Sequence, residues 1–291
     1  MRLSTSTNFF AHSIDREFIS FKESIRRCKA AGFNVIDINF TSAINGETVL
    51  VKDNWVELIE DVRNEAEKIG IEFSQSHPVF LSGNIKDYPV EVQENYYELM
   101  RRSIIASSIL GVKWAILHPV EEKEKTAFDL EANILENIKY HGPVVELAMN
   151  NNVGIAFENM IENASNKRRF SSHAGELAAL VDAFHTTKVG ACWDFGHGNR
   201  LYKDQRIALR TLGKRLKATH INDNDGKSDE HMFPFHGNVD WHSIMPVFHE
   251  IGYEGDFTFE THKEFYKMPD HLKDQLAKLG FSIGKYCLSL I

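Results

Sequence analysis

A (β/α)8 barrel is the fold class this sequence predicts. Three observations point to it: eight short β-rich runs, eight longer amphipathic stretches alternating with them from end to end, and a length of 291 residues. Repeated βα units build a parallel sheet, and about 250 residues suffice to close eight of them into a barrel. The strand candidates are Leu3 to Asn8, Asn34 to Asn39, Ile71 to His77, Val112 to His118, Val153 to Glu158, Lys188 to Asp194, Leu216 to Ile221 and Asp256 to Glu260. Between them a helical period marks stretches such as Phe18 to Ala31, Asn54 to Ile69, Val92 to Leu110, Glu131 to Asn150 and His173 to Phe184. Gly32, Gly70, Gly111, Gly252 and Gly255 stand where helices must end before the next strand. An open doubly wound sheet would carry GxGxxG after its first strand, whereas Ser4, Thr5, Ser6 and Thr7 are found there. With no linker, low-complexity segment or strong repeat, residues 1–291 read as one barrel domain with its active site at the C-terminal ends of the strands.

Composition narrows the function classes. At 43% hydrophobic, 25% charged and 7 Pro, the chain is neither disordered nor collagen-like. Its 33 basic and 41 acidic residues give a net charge of −8, which disfavours a nucleic-acid partner. Cys28, Cys192 and Cys287 form no CxxC pair and read as reduced thiols of a cytoplasmic protein. The N-terminal stretch is too polar for a signal peptide, and no window approaches the roughly 18 apolar residues of a membrane span. A homo-oligomer is left open.

The chemistry collects at the strand ends. Among the last residue or two of the strands stand His77, His118, Glu158, Asp194, His220 and Glu260, all of metal-ligand type. On a barrel these positions converge on one mouth. His197 follows Asp194 by three residues, and Asp229 and His231 lie in the loop after the seventh strand. A lone His or Asp there would be read as a cap or a hydrogen-bonded loop residue. Six together predict a metal site, because buried charges are tolerated when paired or coordinated. Imidazole and carboxylate without thiolate suit Zn, Mn, Co or Fe. Glu158 and Glu260 could share proton transfer as well as hold the ion.

These residues resemble the sugar isomerase and epimerase-like barrels related to xylose isomerase, whose domain is shared with apurinic endonuclease IV. The resemblance is carried by Cys192-Trp193-Asp194-Phe195-Gly196-His197, His220-Ile221-Asn222-Asp223-Asn224-Asp225-Gly226, Asp229-Glu230-His231, Gly237-Asn238-Val239-Asp240-Trp241 and Phe259-Glu260, and it spans nearly the whole chain. It implies one divalent metal held by Glu158, Asp194, His220 and Glu260, and epimerisation or isomerisation of a sugar or sugar derivative through a cis-enediolate. Glu158 and Glu260 would be its catalytic acid/base pair, with His197, His77, His118 and His231 binding the carbohydrate substrate. Dehydratases of sugar acids or inosose-type ketones share that step. The endonuclease pattern implies instead up to three zinc ions and phosphodiester hydrolysis, with His77, His118, His197, Asp229 and His231 as additional ligands.

The sequence departs from the ketose 3-epimerases in two places. Their arginine after the seventh-strand histidine is missing, with Lys227 the nearest cation, and Ala164 stands where a second glutamate is expected, Glu162 being two positions short. Lys167, Arg168 and Arg169 form the one compact basic run, read as a solvated loop or a contact for a sugar phosphate. Glu121 to Lys125 reads as surface. Phe9, Phe10, Trp193, Phe233 and Phe235 could wall a sugar's C–H face, although Trp193, preceding Asp194 on a strand, fits the core better. A barrel that only binds its ligand would not need two opposed acid/base groups.

Overall fold

The computed structural model describes residues 1–81, 83, 85–121, 127–162, 168–266 and 268–291. From the first strand, β1 (Leu3–Ser6), the sheet grows in chain order through β2 (Val35–Asn39), β3 (Glu72–His77), β4 (Trp114–Leu117), β5 (Gly154–Glu158), β6 (Val189–Asp194) and β7 (Leu216–His220). The last strand, β8 (Phe257–Phe259), pairs on the other side of β1, and every pairing is parallel. The ring closes between β7 and β8, where Ile221 N–H donates to the Thr258 carbonyl (2.7 Å) and Glu260 N–H to that of Ile221 (3.0 Å). The architecture is the expected (β/α)8 barrel.

The helices are α1 (Phe21–Ala31), α2 (Trp55–Ile69), α3 (Val90–Ile109), α4 (Leu130–Asn150), α5 (Ala174–Ala183), α6 (Phe195–Asn199), α7 (Arg206–Leu212), α8 (Trp241–Glu250), α9 (Lys263–Tyr266) and α10 (Asp270–Leu288). Local chemistry sets their ends. Ser20 caps α1 by accepting from Glu23 N–H, so that helix begins three residues after the predicted Phe18. Gly32 ends it at φ 117°, a conformation that favours glycine. Gly255 is not such a cap: it lies five residues beyond α8, where an added Cβ would meet the Tyr253 hydroxyl at 2.3 Å. The first strand stops at Ser6 rather than Asn8, because the Ser6 hydroxyl accepts from Asn8 N–H and starts a 3-10 turn over Thr7–Phe10. Among the described residues, no helix is long and apolar enough to cross a membrane.

Strand alternation positions the site. Ile116, Ala156, Cys192 and Ala218 form a small buried cluster separate from the large core between strands and helices. Side chains two apart on a strand share a face. His118, Glu158, Asp194 and His220, each two residues beyond a member of that cluster, are thereby aimed inward above it. Below them the interior is polar, with Thr258 Oγ1 donating to Gln75 Oε1 (2.9 Å) between β8 and β3. Those strands are not neighbours, so the bond crosses the barrel.

Candidate metal centre

The sequence-predicted residues meet at the C-terminal mouth. Four sets place one potential ligand atom from each residue within 4.8 Å of the others: His77–His118–Glu158, Glu158–Asp194–His220–Glu260, His197–Asp229–His231, and His231–Glu260–His262. In the first set His118 Nε2 lies 3.2 Å from His77 Nε2 and 3.3 Å from Glu158 Oε2. In the second, His220 Nδ1 lies 3.2 Å from Glu158 Oε1 and 3.3 Å from Glu260 Oε2. In the third, Asp229 Oδ1 lies 3.0 Å from His231 Nε2 and 3.7 Å from His197 Nε2.

The donor set fits a divalent cation. Glu158 Oε2, His220 Nδ1, Asp229 Oδ1 and His262 Nδ1 are buried without a hydrogen-bond partner, and every one of the four sets contains at least one of them. Unpaired buried polar atoms are costly, and convergent ones are satisfied together by an ion. The imidazoles are pre-oriented as metal ligands require. His77, His197 and His231 donate through Nδ1 to the carbonyls of Pro78 (3.0 Å), Asn159 (2.8 Å) and Glu260 (2.9 Å), which turns Nε2 towards the site, where that of His231 meets Asp229 Oδ2 (3.1 Å). His220 is reversed, with Nδ1 in the site and Nε2 3.9 Å from the buried carboxylate of Asp37.

Backbone and amide contacts fix Asp194. Its Oδ1 caps α6 by accepting from His197 N–H (2.7 Å), and Oδ2 accepts from Asn222 Nδ2 (2.7 Å). Asn159 brackets its main chain, accepting from Asp194 N–H (2.6 Å) and donating to its carbonyl (3.0 Å). A Cβ on Gly196 would come within 1.8 Å of Asn222 Oδ1, so this motif glycine makes room for the amide that holds Asp194. Asp223 is satisfied by Trp241 Nε1 and by the N–H groups of Asn224, Phe235 and Val239, which pins the following loop.

Sequence reasoning did not single out Asp37, Asn159, His262 or Lys263. Asn159 and Asn222 each follow a strand-end ligand by one or two positions, a readable signal; Asp37 is buried on the second strand, and only the assembled barrel brings it beneath His220.

A cavity of about 650 Å³ opens over the centre and is lined by His77, His118, Glu158, His197, Asp229, His231 and Glu260 together with Phe80, Tyr266 and others. Among its described residues the lysines and arginines are Arg169 and Lys263, each beside a carboxylate, Glu121 (4.0 Å) and Asp229 (3.2 Å). Lys227 is not at the mouth: its side chain is 85% exposed and paired with Asp225. The aromatic wall also differs from the expected one. Phe9, Phe10, Trp193 and Phe233 are buried in the core, and Phe235 packs near His242 and Tyr286. Arg168 pairs with Glu176 and covers Phe128, and Glu162 accepts from Ser172. Lys167, Ala164 and the stretch 122–125 lie outside the described residues.

Protonation differs across the site. Burial raises the Glu260 carboxyl to about 7, aided by the charges of Glu158 and Asp194. Burial also opposes the charge on Glu158, but His220 and His118 reverse this and hold it well below the ordinary carboxylate range. Burial, with His118 adjacent, lowers His77 to about 4. His231 is raised to about 9, since Asp229 and Glu260 outweigh its burial.

The comparisons define the class. The chain belongs to the xylose isomerase-like TIM barrel family, whose model matches residues 25–279. It is 25% identical over 280 residues to the uncharacterized protein y4fM of Sinorhizobium fredii (strain NBRC 101917 / NGR234), covering 86% of this chain and 83% of that one. In fold it is similar to an IolI protein with a bound zinc atom (TM-score 0.76, 17% identity, 99% and 98% of the two chains). It is likewise similar to L-ribulose 3-epimerase (TM-score 0.75, 16% identity, 99% and 94%).

Two outcomes are expected. Asn222→Ala, which frees Asp194 Oδ2, should weaken divalent-metal affinity by about 10- to 100-fold in competition with a chromophoric chelator. Glu260, raised to about 7, and His220, held above the ordinary imidazole range against its burial by neighbouring negative charge, carry protons that a metal must expel, so affinity should rise with pH through about 7 and binding near pH ~7 should release protons. Calorimetry in buffers of different ionisation enthalpy measures that release; an affinity independent of pH over this interval would contradict the assignment.

Proposed function

We propose that this protein is a divalent-metal-dependent isomerase or epimerase of a sugar or sugar derivative, with Zn, Mn, Co or Fe held by Glu158, Asp194, His220 and Glu260. The observation that carries the reading is the placement of Glu158 and Glu260, from the fifth and eighth strand ends, at 3.2 and 3.3 Å from His220 Nδ1, beneath a cavity of small-molecule size. The family membership and the fold similarity to L-ribulose 3-epimerase support it.

A divalent ion bound there supplies Lewis-acid polarisation of a carbonyl and its adjacent hydroxyl. Glu158, kept ionised by His220 and His118, is the group suited to removing the proton from the carbon beside the carbonyl. The product of that step is an enediolate. Glu260, raised by burial, is suited to returning a proton from the other side. His197, its Nδ1 fixed by the Asn159 carbonyl, presents Nε2 to a substrate oxygen, with His77, His118 and His231 further round the cavity.

One observation favours a second reading. His77, His118, Glu158, Asp194, His197, His220, Asp229, His231 and Glu260 fall into three ligand sets with Glu158 shared between two, as a three-zinc phosphodiester hydrolase of the apurinic endonuclease type requires. The sugar reading is preferred because the described lysine and arginine at the cavity each face a carboxylate, leaving little unpaired charge for a phosphate backbone. Glu158→Gln and Glu260→Gln should each lower turnover by at least about 10²-fold, in assays of solvent-deuterium exchange into a panel of ketoses and sugar phosphates. Wild-type exchange by Glu260→Gln would overturn the acid/base assignment. Cleavage of abasic-site DNA, with no exchange into any sugar, would instead establish the second reading.

A further inference from the structure

The opposite end of the barrel carries its own hollow, of about 600 Å³, where the strands begin. Trp114 and Leu216, the first residues of β4 and β7, line it with Ser74, Gln75, Lys113, Lys214 and Lys217. In a chain of net charge −8 this is a local concentration of positive charge. None of the three lysines forms an ion pair among the described residues. The carboxylates sharing the hollow are Asp256, bound by Arg2 (2.9 Å), and the exposed Glu254.

Two features distinguish this hollow from a surface scatter of lysines. Lys217 and Trp114 have shaped seats: a Cβ on Gly190 would come within 2.2 Å of Lys217 Cγ, and one on Gly154 within 2.4 Å of the Trp114 ring. Lys217 Nζ lies 6.0 Å from the centroid of that ring. Ser74, 3% exposed and lining the hollow, carries a buried hydroxyl with no hydrogen-bond partner. A polar atom so placed wants a ligand or a water.

We propose that this N-terminal hollow binds a small, multiply charged phosphate compound through Lys113, Lys214 and Lys217, with the Ser74 hydroxyl as the neutral donor. Phosphate oxygens are acceptors, matching a set of ammonium and hydroxyl donors. The volume exceeds the needs of a lone ion and falls within the roughly 300–1,000 Å³ of small-molecule sites. The site is independent of the metal centre, since its lining residues lie at the other ends of the strands.

The test is a titration of the metal-containing protein with inorganic pyrophosphate at constant ionic strength, read by tryptophan emission. Trp114 is half-buried, whereas Trp55, Trp193 and Trp241 are buried, so Trp114→Phe supplies the background. A saturable change that depends on Trp114 is expected. Its midpoint should weaken at least tenfold in Lys113→Glu/Lys217→Glu, and in the milder Lys113→Gln/Lys217→Gln, and should not move in Glu260→Gln. Ser74→Ala should weaken it severalfold. The proposal is overturned if no saturable change occurs, or if the lysine variants titrate as wild type. Loss of the response in Glu260→Gln would also overturn it, by placing the anion at the metal mouth.

Discussion

The structure turns on the burial of carboxylates and imidazoles at the C-terminal end of a closed barrel. Glu158, Asp194 and His220 are each at most 1% exposed, and transferring such charges out of water is expensive unless they are compensated. Within the protein the compensation is incomplete. Ring nitrogens face carboxylate oxygens at 3.2 to 3.3 Å, yet Glu158 Oε2 and His220 Nδ1 remain without hydrogen bonds. A divalent ion held among them would resolve that frustration.

The rest of the fold holds these groups in place. Four inward strand positions are filled by Ile116, Ala156, Cys192 and Ala218, giving a low apolar floor beneath the polar layer. Backbone carbonyls set the tautomers of His77, His197 and His231, and the amides of Asn159 and Asn222 fix Asp194. Aromatic residues behind the site serve rigidity: Phe9 stacks on Phe265 at 4.2 Å, and Trp193 donates to Gln205 (2.8 Å). The cavity above these residues is thus shaped by strand-end polar groups, with Phe80 and Tyr266 also in its lining.

Much of this was legible from the chain. Strand period and helix-ending glycines gave the barrel, and reading only strand ends found the residues that the fold brings together, because parallel strands in a barrel share one C-terminal rim. Other features depend on side-chain direction or on contacts distant in sequence. The aromatic cluster of Phe9, Phe10 and Phe233 was ambiguous because wall and core have the same composition, and packing assigned it to the core. Lys227 follows the His220 loop closely in sequence, but that loop turns it to solvent, while Lys263, after the last strand, reaches Asp229 instead. Asp37 looks like one polar residue in a strand until the barrel sets it 3.9 Å from His220 Nε2.

The central claim, that Glu158, Asp194, His220 and Glu260 form a divalent-metal centre, is tested most directly by elemental analysis of protein purified without chelator or added metal. At least one Zn, Mn, Co or Fe per chain is expected in the wild type, with loss of an ion and lowered thermal stability in Glu158→Gln/His220→Ala. A wild-type protein that takes up no divalent metal, and whose stability is the same with or without a chelator, would contradict it.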